Sequence, residues 1–83
     1  MGAYLMLPIY NQARCLEYYP VSDEILNYEM ANLEGTMNDV DDVYDLGNWL
    51  QSLRKALRKK KRYVDAKRVN TLHRQLVKRE GWE

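Results

Sequence analysis

The heptapeptide "KKRYVDA", residues 60–66, decides how this chain folds. Upstream of it, Val43, Leu46, Leu50, Leu53 and Leu57 recur at intervals of three and four, the apolar stripe of an amphipathic helix. The stripe fails at Lys60 and resumes only at Val69, Leu72 and Leu76. If Asp65 N-caps a new helix, with Val64 and Val69 as the hydrophobic staple at its start, the chain turns back here. If it does not, residues 38–80 form one helix about 64 Å long at 1.5 Å per residue. Its two stripes would then need a second chain, as in a coiled-coil dimer. The lapse of the stripe, followed by a cap and a staple, favours the turn. Monomer and homodimer both remain open.

Working outward, the segment before the junction is "TMNDVDDVYDLGNWLQSLRKALRKKKR", which reads as a long helix over 38–62. Thr36 or Asn38 can cap it. Asp39, Asp41, Asp42 and Asp45 crowd the positive end of its dipole and the basic run crowds the negative end, the polarity a helix prefers. Gly47 inside it costs about 1 kcal/mol against Ala, so a neighbour is expected to pack closely there. Before that, Ser22 is an N-cap followed by Asp23 and Glu24, and Val21 and Leu26 sit at staple positions. Leu26, Met30, Leu33 and Met37 give a helical stripe, and the helix is expected over 22–34 with Gly35 as its stop. The last helix is expected over 65–80, stopped by Gly81.

Residues 1–21 carry the weakest pattern. "AYLMLPIY" is apolar and interrupted by Pro8, which argues against a central strand. "NQARCLEYY" reads as a short helix capped by Asn11 and ending before Pro20. Tyr4, Tyr10, Tyr18 and Tyr19 make the segment aromatic, and the expectation is an extended Tyr-rich arm lying over the helices. The predicted fold is therefore all-α: one small domain over 1–83, a bundle of three helices (four if the arm contains one), ending in a basic helical hairpin.

Composition sets the outer bounds. At 83 residues, 46% hydrophobic and 30% charged, the chain is a folded domain with a core only just large enough to stand alone. One cysteine, Cys15, excludes an intrachain disulfide and fits a reducing, intracellular and cytoplasmic setting. No apolar run is long enough to span a membrane, the N-terminus lacks a basic leader, and "MGAYLM" has Met6 where myristoylation wants Ser or Thr. The net charge of +1 conceals a segregation. Residues 1–53 hold one Arg against nine acids, a balance of −8, and residues 54–83 hold twelve Lys or Arg against three acids, a balance of +9. Whether the fold turns that dipole back on itself governs what the basic half can bind.

Catalytic chemistry finds few residues to work with. Cys15 and His73 are the only thiol and imidazole, and a lone Cys near Leu16 reads as a small core residue. His73, next to Leu72, reads as a packed or rim side chain. One Cys and one His cannot close a zinc site, and "DVDDVYD" lacks the sixth-position Gly and the closing Glu of a calcium loop. No Gly-rich phosphate loop is present. The expectation is a protein that is not an enzyme, with no metal and no cofactor.

The basic half carries the strongest signal. On the long helix, Arg54, Arg58, Lys61 and Arg62 share a face by i, i+4, i+7, i+8. On the last helix, Lys67, Arg74 and Lys78 form a second stripe at i, i+7, i+11, with Arg68 and Arg79 beside it. Two such stripes meeting at a turn make a clamp for a phosphate backbone. Tyr63 at the turn, and Trp82 beyond the last helix, offer rings for stacking on an unpaired base. The competing reading is a solvated face neutralised by the acidic half. The predicted function is a nucleic-acid-binding accessory module with little base readout. The alternative is a protein-binding adaptor or small inhibitor, using the acidic half as a mimic of nucleic acid or using the apolar face of the hairpin.

Residues 53–76, "LRKALRKKKRYVDAKRVNTLHRQL", resemble the UVR (UvrB/UvrC-type) helical hairpin of excision-repair proteins. Leu53, Ala56, Tyr63, Asp65, Ala66, Val69 and Leu72 sit where that pattern wants them. The resemblance covers about 25 residues, and this segment is far more basic than the family's mixed hairpins. It implies hairpin-to-hairpin association with a protein partner, with a role in DNA repair, and implies no catalysis.

Overall fold

The structure, a computed structural model, describes residues 2–82. Six helices follow one another: α1 (Gly2–Leu5), α2 (Ile9–Tyr18), α3 (Asp23–Ala31), α4 (Leu33–Asp39), α5 (Val43–Lys59) and α6 (Tyr63–Glu80). No strand lies among the described residues, so the all-α helical bundle expected from the periodicity is the fold.

The chain does turn at 60–62. Lys61 N–H donates to the Arg58 carbonyl (3.0 Å) and Arg62 N–H to the Leu57 carbonyl (2.9 Å), the paired bonds of a Schellman motif. That motif needs a left-handed residue, and Lys61 supplies it at φ +59°. Gly81 ends α6 in the same way, at φ +72°, with Trp82 N–H on the Val77 carbonyl. A non-glycine residue in this conformation costs roughly 1–2 kcal/mol. The turn lays α6 along α5, where Leu57, Val69 and Leu76 are all but fully buried, each worth about 1.5–3 kcal/mol. Burial wins. A single 38–80 helix is not formed.

Helix α5 is the centre of the bundle. Leu46, Trp49, Leu50, Leu53 and Leu57 lose nearly all solvent contact, and both α2 and α6 pack on it. Leu26 and Leu33, from α3 and α4, complete the core. Gly47 meets the expected neighbour: a Cβ there would stand 3.2 Å from the Trp82 ring, which stacks on Tyr44 at 5.2 Å between centroids.

Several boundaries differ from the sequence reading. The expected helix over 38–62 begins instead at Val43, because Asp42 is the better cap. Its Oδ1 accepts from the Tyr44 and Asp45 N–H groups (2.9 and 3.1 Å), and Val40 is extended, separating α4 from α5. Ser22 caps α3 as its position predicts, accepting from Ile25 N–H at 3.3 Å. Gly35 does not stop a helix and lies inside α4; the break falls at Asn32, whose side-chain amide donates to the Tyr28 carbonyl at 2.8 Å. Asp65 is not a cap either, since α6 starts at Tyr63. Val64 consequently falls on the outer face and stays exposed, so the Val64–Val69 staple is absent.

The N-terminal segment is a helical part of the core and no extended arm. Pro8 occupies the N-cap position of α2, where its missing N–H is harmless, and Asn11 lies within the helix. Leu16 and Ala13 are buried against the bundle. Gln12 Nε2 donates to the Tyr4 and Leu7 carbonyls (3.3 and 3.2 Å) and so ties α1 to α2. Of the tyrosines here, Tyr4 is buried, whereas Tyr10, Tyr18 and Tyr19 face solvent.

Tyr4 also marks the one carboxyl buried among the described residues. Glu29, on α3, is 3% exposed, and its Oε2 has no hydrogen-bond partner; neither have the Tyr4 hydroxyl and the Trp49 indole N–H. Burial pushes the Glu29 carboxyl from its ordinary 4.5 up to about 7. The Trp49 indole N–H, close by but without hydrogen-bond geometry, pulls the other way and does not offset burial. Burial likewise raises the Tyr4 hydroxyl, and Glu29 adds to the shift. Because the folded state holds this Glu29 proton more tightly than the unfolded chain, stability is greatest below pH 4.5 as far as this group is concerned. It falls as pH rises from 4.5 to about 7, by about 3 kcal/mol in all. Urea unfolding at pH 5 and pH 8 should show most of that loss, about 2.5 kcal/mol, in the native chain and its disappearance in Glu29→Gln.

Candidate nucleic-acid interface

Helices α5 and α6 run antiparallel from the turn, and the groove between them gathers part of the expected basic set. Arg54 and Arg58 from α5 face Tyr63, Ala66, Lys67 and Asn70 from α6 around a concavity of about 280 Å³. No acid lines it. Arg54 is half-buried: its Nη1 donates to Asn70 Oδ1 at 2.9 Å, and its Nε is buried without an acceptor. That N–H lies out of solvent contact, so what Arg54 offers the groove is its charge rather than a free donor. Arg58 and Lys67 are exposed and make no ion pair among the described residues. Tyr63, 59% exposed, closes the turn end. Farther along α6, Arg74 and Lys78 share another open hollow with Thr71 and Gln75.

Three members of the expected set are placed otherwise. Arg62 does not continue the Arg54–Arg58 face, because α5 has ended and Lys61 has turned the chain. Its Nε and Nη2 both donate to Asp65 Oδ2 (3.0 and 2.8 Å), and Asp23 stands 3.8 Å away. Arg62 is thus a structural strut across the turn. Lys61 is exposed but belongs to the turn, so the i, i+4, i+7, i+8 stripe stops at Arg58. Arg68 points to Glu34 of α4 at 3.8 Å, away from the groove. Trp82, stacked on Tyr44 and leaning on Gly47, has lost one face to its own chain.

His73 sits at the rim as expected. Gln51 Nε2 meets His73 Nε2 at 3.0 Å, a bond in which the neutral ring accepts. Burial, and then the Arg54 charge, lower its pKa, which favours that neutral form. Cys15 is half-buried on α2. Among the described residues no group of three His, Cys, Asp or Glu is placed to hold a metal ion, and no helix is long and apolar enough to cross a membrane.

The sequence reading missed Asn70, which orients Arg54, and missed Lys59 and Lys60, which stay exposed at the α5 terminus. Only the cross-helix register pairs Asn70 with Arg54, and no spacing within one helix discloses it. Comparison of the chain with family models, curated proteins and solved structures finds no match.

The division between strut and surface is measurable. Arg62→Ala should cost about 1 kcal/mol, since it removes two charge-assisted bonds from a mostly covered guanidinium. Arg58→Ala should stay within about 0.5 kcal/mol, as surface changes do. Equal losses in chemical unfolding would contradict the assignment.

Proposed function

We propose that this chain is a non-enzymatic accessory module that holds the phosphate backbone of nucleic acid in the α5–α6 groove. The observation that carries the reading is the convergence of Arg54, Arg58 and Lys67 on one concavity with no acid in its lining. Arg74 and Lys78 extend the positive track along α6, and Tyr63 stands at its end. Phosphate contacts of this kind position a duplex or a strand without reading its sequence. Lys61, Arg62 and Arg68 contribute to the local field rather than to the contact.

The reading of a protein-binding adaptor draws on the exposed acids near the start of α5. Asp42, however, is engaged there as a cap. A UVR-like association through the apolar side of the hairpin would need Leu53, Leu57, Val69 and Leu76 free, and all four are buried within the chain. The groove is the better-supported site.

A salt titration tests this. With about four phosphate contacts, log K for duplex DNA should fall against log salt with a slope of roughly −4. Arg58→Gln with Lys67→Gln should reduce that slope by about two contacts while leaving the helical content unchanged. No binding at low salt, or a slope indifferent to the double substitution, would remove the proposal.

A further inference from the structure

A second concavity lies past the basic turn, between the end of α2 and the end of α5. Its volume is about 380 Å³. Leu16, Pro20, Val21 and Ala56 give it apolar surface, Tyr18 and Tyr19 stand at its side, and Lys59 and Lys60 hold its edge. Each tyrosine is 67% exposed, so the rings stand uncovered beside an apolar hollow. No acid lines it. The neighbouring Glu17 is turned to Lys55 at 3.2 Å, and Lys59 Nζ reaches the Glu17 carbonyl at 3.4 Å, which holds that lysine beside the groove. Lys60 has no ion pair among the described residues.

We infer that this groove seats an unpaired nucleobase, so that the chain prefers single-stranded over duplex nucleic acid; the inference rests on the phosphate-binding reading above. The charge distribution selects this occupant. The groove is apolar and aromatic within and cationic only at its edge, so its ligand must insert a flat uncharged body and keep its negative charge outside. A nucleotide has that build, with a planar ring held laterally off a charged backbone, and stacking on an aromatic side chain tolerates any base. A purely acidic side-chain run carries its charge on the groups it would have to insert, and an acidic peptide with interspersed aromatic residues is the competitor that the test includes. Arg58 lines the first groove and Lys59 and Lys60 line the second, so the two flank the end of α5 and a strand passing around that end would meet both. A duplex keeps its bases stacked inside and has none to offer.

The test uses the full chain with a single-stranded oligothymidine, the same sequence as a duplex, and a 5-iodouracil-substituted single strand for photocross-linking. The cross-link should map to Tyr18 or Tyr19. Tyr18→Leu with Tyr19→Leu should weaken the single strand about tenfold and change duplex affinity less than twofold. Cross-links confined to Tyr63, or single-strand affinity unaltered by the double substitution, would overturn the groove while leaving phosphate binding in place. Failure of both nucleic acids to bind at low salt would overturn the phosphate reading and this inference together. A Glu–Tyr copolymer that binds as tightly as the single strand would overturn it in favour of an acidic protein partner. The cross-link is made on the unaltered chain, so it decides the matter even if the double variant fails to fold.

Discussion

The hydrogen bonds from Lys61 and Arg62 back to Arg58 and Leu57 reverse the chain, and the rest of the structure is arranged around that reversal. They hold a lysine in the left-handed region, where glycine is the usual occupant. In return α6 lies along α5, Val69 and Leu76 enter the core, and Lys67 comes to stand opposite Arg54 and Arg58. The strut from Arg62 to Asp65 spans the same turn. One residue of backbone strain thus sets both the apolar packing and the position of the cationic groove. The groove is a consequence of the reversal rather than an addition to it.

The charge segregation survives folding for a geometric reason. Asp41, Asp42 and Asp45 collect at the start of α5 and the basic run at its end, and 17 residues of helix separate them by about 25 Å, well beyond the ~8–10 Å screening length of ordinary salt. Ion pairs between the two halves do form, from Lys55 to Glu17, Arg62 to Asp23 and Arg68 to Glu34. The latter two are 3.8 Å apart, and all three involve exposed groups, so each contributes little. They neutralise the flanks of the hairpin and leave Arg58, Lys67, Arg74 and Lys78 without a partner among the described residues. Self-neutralisation is therefore partial, and it is excluded from the one place where the cations converge.

How much of this the sequence discloses depends on the kind of signal. Periodicity and caps carry the helical class, the stop at Gly81, the cap at Ser22 and the close approach at Gly47, because each is a local preference with one physical solution. The turn is legible, but its chemistry is not. Asp65 looks like a cap, and only the start of α6 at Tyr63 turns it into a partner for Arg62. Competing caps misplace the start of α5: Thr36, Asn38 and Asp42 are all acceptable by residue type, and the chain uses the last, whose Oδ1 accepts from two N–H groups. The first 21 residues mislead because Pro8 reads as an interruption, whereas it opens α2. Their tyrosines follow no helical period because most of them face water. Of the expected basic set, Arg54, Arg58, Tyr63 and Lys67 meet in one groove. Arg62 is drawn off by Asp65, three residues on, and by Asp23 of α3, and Arg68 by Glu34 of α4; no stripe along a single helix can reveal the last two partners.

The central claim is that the cations at the turn end of α5 and α6 form the binding surface and the acids at the far end do not. Backbone amide NMR of the labelled chain, titrated with an oligonucleotide at low salt, addresses it directly. The account predicts shift changes concentrated at Arg54, Arg58, Tyr63, Lys67 and Asn70, with the amides of residues 39–45 unmoved. Changes centred on residues 39–45, or none at the groove while the oligonucleotide binds, would contradict it.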